Sequence, residues 1–421
     1  MTQWIEAGEV AGLLQTGMTV FVAGATAEPR EMLGALAARS EQCAGVRFVS
    51  VSVPGINGVD FSALHPQSKS TAFLATAQNR KSIIEGRVDF MPMHYSAIFD
   101  FLEHEMKIDA VLMQLPPAAR NGTNCLGISA DFTPAVIEKA GLVIGEINAR
   151  QPEPADAPGL PLSRLDYALA CDRPVPTFAH AAVSDVARSI GHHVAELIDD
   201  GDCIQIGIGA IPDATLAGFS AKNDLGIHSG MITDGVMALV QAGNITGRSK
   251  TLDTDKVVSG VTLGSQCLIQ WAGEAPELAV RPVGYTHDIG VISRIDNFVS
   301  INSALEVDLF GQVNSEMLGG HQVSGTGGSV DMMRGAALSR GGRSIIALSA
   351  TASGGKVSRI VAALTPHTAT TALRTDIDYV VTEFGARRIR YLPVQARAEA
   401  LIEIAHPDFH DQLRNEWNGM K

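Results

Sequence analysis

The sequence predicts an α/β fold of two open, mainly parallel sheets, and three observations carry that prediction. Short Val/Ile-rich runs bounded by turns alternate with helical patterns along most of the 421 residues. Apolar residues make up 46% and charged residues 18%, with aromatics at only 5% and 42 glycines. That balance suits buried strands joined by glycine-rich turns. Finally, one order of elements occurs in both halves of the chain, as internal duplication would produce.

In the first half a helical pattern (Ile5, Val10, Leu13, Leu14) leads through Gly17 into the strand run Thr19–Ala23 and Gly24. A loop ending Ala27-Glu28-Pro29 follows, then a helix with Met32, Leu33 and Leu36. In the second half a helix with Val194, Leu197 and Ile198 leads through Gly201 into Cys203–Ile208 and Gly209. A loop ending Ile211-Pro212 comes next, then a helix with Leu216. Further strands are predicted at 46–53, 88–91, 110–115 and 141–147, and at 226–228, 298–301, 344–348 and 379–382. A helix is predicted over 395–405, before Pro407. The length exceeds one ordinary core. The Pro- and Ala-rich segment 151–176 is where the first domain is expected to close and a linker to begin, giving domains 1–185 and 186–421.

The formal net charge of −13 and the lack of a Lys/Arg cluster beyond Arg387-Arg388-Ile389-Arg390 argue against a nucleic-acid partner. Five scattered cysteines without a Cys-x-x-Cys pair indicate neither a disulfide framework nor a zinc site, and no metal is expected. No run approaches 18 apolar residues, and the N-terminus lacks a leader pattern. The expectation is a cytoplasmic protein without a membrane partner.

Two segments have the residue types that ligand chemistry needs. Gly207-Ile208-Gly209-Ala210-Ile211-Pro212 leaves a strand and enters a helix, where Gly207, Gly209 and Ala210 would let a ligand approach backbone N–H groups. It lacks the third glycine of a dinucleotide fingerprint. The run Ser324-Gly325-Thr326-Gly327-Gly328-Ser329 exposes further N–H groups, with Gly325, Gly327 and Gly328 as candidate phosphate or oxyanion binders. Locally, a plain tight turn and a binding turn are both open readings.

Taken with their neighbours these segments resemble a family. Gln205–Ala214, Leu225-Gly226-Ile227-His228-Ser229, Thr233-Asp234-Gly235-Val236, Val299–Leu309, Gly311–Asn314 and Asp378–Gly385 are similar to the acetyl-CoA hydrolase/transferase family, 4-hydroxybutyrate CoA-transferases included. Ile404–Phe409 fits too, and Gly24…Pro29 and Val88–Tyr95 resemble it more loosely. The resemblance implies two α/β domains of the CoA-transferase (NagB/RpiA-like) type with a cleft between them, acting as a homodimer or homotetramer. It implies acyl-CoA and a carboxylic acid acceptor as partners, coenzyme A as substrate or product, and no resident cofactor. It also implies ping-pong transfer through an acyl-glutamyl anhydride and a glutamyl-CoA thioester.

One departure bears on the reaction. The family's nucleophilic glutamate stands two residues after the histidine of a His-x-Glu-Met segment, and this chain reads His228-Ser229-Gly230-Met231. Gly230 cannot form either covalent intermediate. A histidine-bearing segment of relatives is likewise absent near 159–165, where Gly159-Leu160-Pro161-Leu162-Ser163 stands. Three readings stay open: hydrolysis or other water-dependent chemistry on an acyl-CoA, an inactive CoA-ester binder, and an active-site variant of an ordinary transferase. A base for the first would be His228, sharing a strand face with Gly230, or Glu306; Glu316 and His94 are weaker candidates. A glutamate restored at 230 is expected to bring transfer back. His192-His193 lacks metal-site spacing, and no G-x-S-x-G elbow suggests a serine hydrolase.

Overall fold

The computed structural model of the chain describes residues 2–118, 123–179 and 182–420. Its residues form two compact units, Met1–Ala179 with Val258–Thr286, and His180–Val257 with His287–Lys421. An uninterrupted division at 185 leaves Val258–Thr286 with the second half, whereas here it belongs with the first.

The first unit is built on eight strands: Gln3–Trp4 (β1), Thr19–Val22 (β2), Arg47–Ser50 (β3), Lys69–Ala72 (β4), Val88–Phe90 (β5), Ala110–Leu115 (β6), Leu142–Asn148 (β7) and Tyr167–Cys171 (β8). Their order is β1-β8-β7-β6-β2-β3-β4-β5, with every pairing parallel. Residues 110–115 are buried throughout, as a parallel strand covered on both faces must be, which is why it reads as a continuous apolar run. Val20, Val22, Met32, Leu36, Phe48, Leu112 and Ile144 form the core on one side of this sheet.

The second unit has Cys203–Ile206 (β9), Gly226–Ile232 (β10), Phe298–Ser303 (β11), Arg343–Ala347 (β12), Tyr379–Thr382 (β13) and Gly385–Arg388 (β14). The order is β10-β9-β11-β12-β13-β14, parallel except for the last pair. Helix Asp185–Glu196 (α1) leads into β9, and Ala210–Ala217 (α2) and Ser329–Leu338 (α3) lie on the connections β9 to β10 and β11 to β12. The predicted C-terminal helix is present at Val394–Glu403 and buries Leu401 and Ile402 with Ile346, Val380 and Trp417.

Three expectations need correction. Gln3–Trp4 is an edge strand, and the predicted first helix is reduced to Ala7–Glu9 and Val10–Leu13, because Gly8 and Gly12 weaken a longer helix. The expected linker 151–176 contains β8, which pairs with β7 over five residues. The strand Lys69–Ala72 went unforeseen because Ser70 and Thr71 read as polar, yet both are buried.

Candidate functional site

β9 ends at Ile206 and α2 begins at Ala210, so Gly207, Ile208 and Gly209 make the turn. Gly209 has φ +119, a conformation that L side chains rarely adopt. A Cβ at Gly207 or Gly209 would meet nothing within 4 Å. The glycines therefore leave open space above the backbone instead of admitting a packed neighbour. Ala210 opens the eight-residue helix and is half-buried.

β10 extends past the predicted 226–228 to Ile232, so His228 and Gly230 lie two residues apart on one strand and share a face. His228 is wholly buried, with its ring edge-on to Phe298 at 6.2 Å between centroids. Between them, Ser229 Oγ donates to the Ile206 carbonyl at 3.2 Å, tying β10 to the end of β9 beside the turn. Gly230 itself is half-buried.

What stands over Gly230 is the imidazole of His287. A Cβ at position 230 would lie 2.6 Å from its Cε1 and 3.0 Å from its Nε2. A Cβ at Gly328 would overlap the same ring at Nε2 and Cδ2. Two residues 98 positions apart must both lack side chains for one imidazole to fit between them. His287 is 4% exposed. Burial, with the neighbouring His228 adding to it, pulls its pKa down to about 3, so the ring is neutral at physiological pH.

Gly328 is the last residue before the ten-residue α3, and Met332 N–H donates to its carbonyl at 3.2 Å. Gly327 has φ +62 and open space where a Cβ would be, and Gly325 is buried. The loop is held from its N-terminal side by Glu316: Val323 and Ser324 N–H groups donate to its carbonyl at 2.8 and 3.2 Å. Its carboxylate accepts from Gln322 Nε2 at 2.7 Å and Thr371 Oγ1 at 2.8 Å. Glu316 is thus a brace for the glycine loop.

The structure brings together Gly230, His228 and Gly328 around His287. Glu306 sits elsewhere, on a small three-stranded sheet with Val313–Asn314 and Ile360–Val361, where its Oε2 accepts from Asn314 Nδ2 at 3.1 Å. His94, in the first unit, precedes the helix Tyr95–Asp100 without a side-chain capping hydrogen bond, its Nδ1 buried. Among the described residues no group of three or more His, Cys, Asp or Glu is arranged to hold a metal ion. No described helix is long and apolar enough to cross a membrane.

Sequence reasoning missed His287, because a lone histidine in Tyr285-Thr286-His287-Asp288 carries no motif. It also missed Asp131, in the first unit. That residue has φ 41, its carbonyl accepts from Val283 N–H at 3.0 Å, and burial pushes its carboxyl up to about 7. A strained backbone and a perturbed carboxyl at one residue are a recognisable signal, but only in three dimensions.

Two family models match the chain: the acetyl-CoA hydrolase/transferase N-terminal domain over residues 1–178 and the corresponding C-terminal domain over 264–417. The chain is 37% identical to a 4-hydroxybutyrate coenzyme A transferase of Clostridium kluyveri, with 98% of this chain and 96% of that protein covered. Among solved structures, RipA from Yersinia pestis superposes with a TM-score of 0.94 at 32% identity, covering 99% of this chain and 97% of that one. A 4-hydroxybutyrate CoA-transferase from Porphyromonas gingivalis gives 0.82 at 32% identity, covering 100% and 98%. More distant relatives include acetyl-CoA hydrolases as well as CoA-transferases.

Proposed function

The chain belongs to the acetyl-CoA hydrolase/transferase family, and from that premise we propose that it hydrolyses an acyl-CoA thioester, with water in place of the carboxylate acceptor. The observation that carries this reading is position 230. No carboxylate stands there to form an anhydride or a glutamyl thioester, and the space beside its Cα holds a neutral imidazole.

The remaining features suit a thioester. Open space over Gly207 and Gly209 lets the ligand reach the backbone where β9 gives way to α2. The run Gly325–Gly328 leads into α3, and its N–H groups are donors for the oxyanion formed when the thioester carbonyl is attacked. Such donors act on charge that develops in the transition state, so they serve hydrolysis as well as transfer.

The test is to incubate the pure protein with a panel of acyl-CoAs, with and without acetate, and to follow free thiol. Thiol release independent of acetate is the expected result. Acyl exchange that requires acetate would return the protein to the transferases. Tight binding without turnover would make it a CoA-ester binder.

A further inference from the structure

We propose that Gln322 is a positioning residue of this site: its side-chain amide fixes the peptide between Ser324 and Gly325, which keeps the Gly325 N–H in place as a donor for the thioester's developing oxyanion. The inference rests on the reading that the 325–328 loop receives a CoA thioester, and it names the residue that sets one of the donors there.

Gln322 ends the second strand of a small hairpin, Met317–Leu318 with His321–Gln322, where it pairs with Met317. The two-residue turn Gly319-Gly320 is left-handed at both positions, φ +57 and +78, which fixes the register and hence the place of Gln322. From there Nε2 of the half-buried side chain donates to Glu316 Oε2 at 2.7 Å and to the Ser324 carbonyl at 3.1 Å. Both amide hydrogens are used, and the carboxylate dictates that the nitrogen end of the amide faces the loop. Ser324 is thus fastened at both ends, its N–H to the Glu316 carbonyl and its C=O to Gln322. In a trans peptide the C=O and the following N–H point opposite ways, so this tie turns the Gly325 N–H away from Gln322. Gly325 is buried, and among the described residues no acceptor takes its N–H or those of Thr326, Gly327 and Gly328. Buried N–H groups are almost always paired, so a donor that the chain itself leaves unpaired is one kept for a ligand.

Glycine at 325 makes the tie necessary. Without a Cβ it accepts the preceding peptide in either orientation, so nothing in Gly325 itself stops the N–H from turning over. The orientation is selected from outside, through Thr371 Oγ1 on Glu316, Glu316 on Gln322, and Gln322 on Ser324. Attack on the thioester carbonyl moves its π pair onto oxygen, and a donor already in place stabilises that charge without reorganising. The pair returns when the C–S bond breaks and sulfur leaves with the bonding electrons. Because Gln322 acts through this peptide, its loss should weaken the transition state more than the bound ground state.

Gln322→Met keeps the length of the side chain and removes the donor. With the acyl-CoA that the wild type turns over best, kcat and kcat/KM are expected to fall together by about tenfold or more, toward the scale of a lost oxyanion donor. Affinity for a slowly hydrolysed CoA thioether should stay within about threefold of wild type. Exchanging the two partners separates this role from mere support of the hairpin. Glu316→Gln with Gln322→Glu keeps an amide–carboxylate hydrogen bond between the two positions but leaves no donor at 322 for the Ser324 carbonyl. The exchanged pair should melt closer to wild type than either of its single changes while its kcat stays low, and it serves as the test if Gln322→Met does not fold. Unchanged kcat in Gln322→Met, kcat restored in the exchanged pair, or thioether affinity that falls as far as kcat would each overturn the role of Gln322 while leaving hydrolysis intact. If the wild type exchanges acyl groups with acetate instead, hydrolysis is overturned and the same comparison is read on the exchange rate, since an oxyanion forms in both reactions. A wild type that turns over no acyl-CoA would overturn both.

Discussion

The same order of elements builds the turn after β2 and the turn after β9, and the two differ in what lies above the glycine. Both strands are entered through a glycine with positive φ, Gly17 at +90 and Gly201 at +84, and both are flanked by parallel neighbours. In the first turn a Cβ at Gly24 would overlap the carbonyl oxygen of Val51. Asn57 closes that turn from within, its Oδ1 accepting from Ala25 N–H at 2.9 Å and Val53 N–H at 2.7 Å. In the second turn Gly207 and Gly209 face open space. One glycine-rich turn is filled by packing, whereas the other leaves open space above its backbone. A repeated sequence order specifies topology, whereas chemistry depends on whether a distant residue fills the space.

The largest effect that sharpens this contrast is expected at Gly24. The obstacle there is main-chain oxygen, which cannot rotate away, so Gly24→Ala should destabilise the first unit by about 3 kcal/mol. Loss of soluble protein, or a drop of several degrees in the first thermal transition, is the measurement. An unchanged melting profile would mean that the first turn is as open as the second.

The two units also carry opposite proton linkages. Asp131 keeps its proton up to about pH 7 when folded, against about 3.9 for an unfolded carboxyl. Its stabilising contribution is present at low pH and is lost as pH rises through 7. His287 stays neutral down to about pH 3 when folded, against about 6.5 unfolded, so its contribution is present above 6.5 and is lost as pH falls toward 3. Between about pH 4 and 6.5 the two slopes oppose each other. Asp131→Asn should therefore make stability rise more steeply with pH, and His287→Asn should make it fall. Each variant should diverge from wild type by about 3 kcal/mol across that window. Denaturation midpoints at half-unit pH steps would show it, and parallel curves for all three proteins would remove the opposition.

Gly230 tests whether a side-chain obstacle behaves differently from the main-chain obstacle at Gly24. Here the ring of His287 can shift, so Gly230→Glu should cost only about 1–2 kcal/mol. The sequence alone leads to the expectation that this single change restores transfer; with His287 against position 230 that expectation is revised, because the new carboxylate and the imidazole compete for one space. Gly230→Glu with His287→Asn should recover about 1 kcal/mol relative to the sum of the single changes and release CoA in an acetate-dependent way. Additive stabilities, or transfer by the single variant, would show that the two side chains do not share that space.

Much of the fold was legible because it rests on local signals. The apolar run 110–115 and the repeated glycine-strand-turn order both appear as strands in the expected places. Lys69–Ala72 was not legible, since its Ser and Thr are buried by tertiary packing that no window of sequence reveals. In the site, the glycines at 207, 209, 327 and 328 were readable as places for close backbone approach. Gly230 was readable only as an absence. His287 lies 57 positions further along, and nothing near it in sequence ties it to β10. Its place over Gly230 depends on a contact between segments, which is the level at which one sequence is least informative.

The smallest stability effect, and the most discriminating for ligand binding, belongs to Gly207→Ala. Its φ is not in the left-handed range, and a Cβ there meets nothing within 4 Å. The folded protein should accept the methyl group within about 0.5 kcal/mol, with a slight gain possible from the stiffer unfolded chain. A ligand that uses the open space must lose contact with the backbone, so affinity for a CoA ester should fall about tenfold. Calorimetric titration with a slowly hydrolysed CoA thioether, alongside thermal melting, separates the two quantities. A variant that melts like wild type and binds like wild type would show that the space over Gly207 is open but unused. The distinction between a packed turn and a ligand-bearing turn would then rest on Gly209 and the 325–328 loop alone.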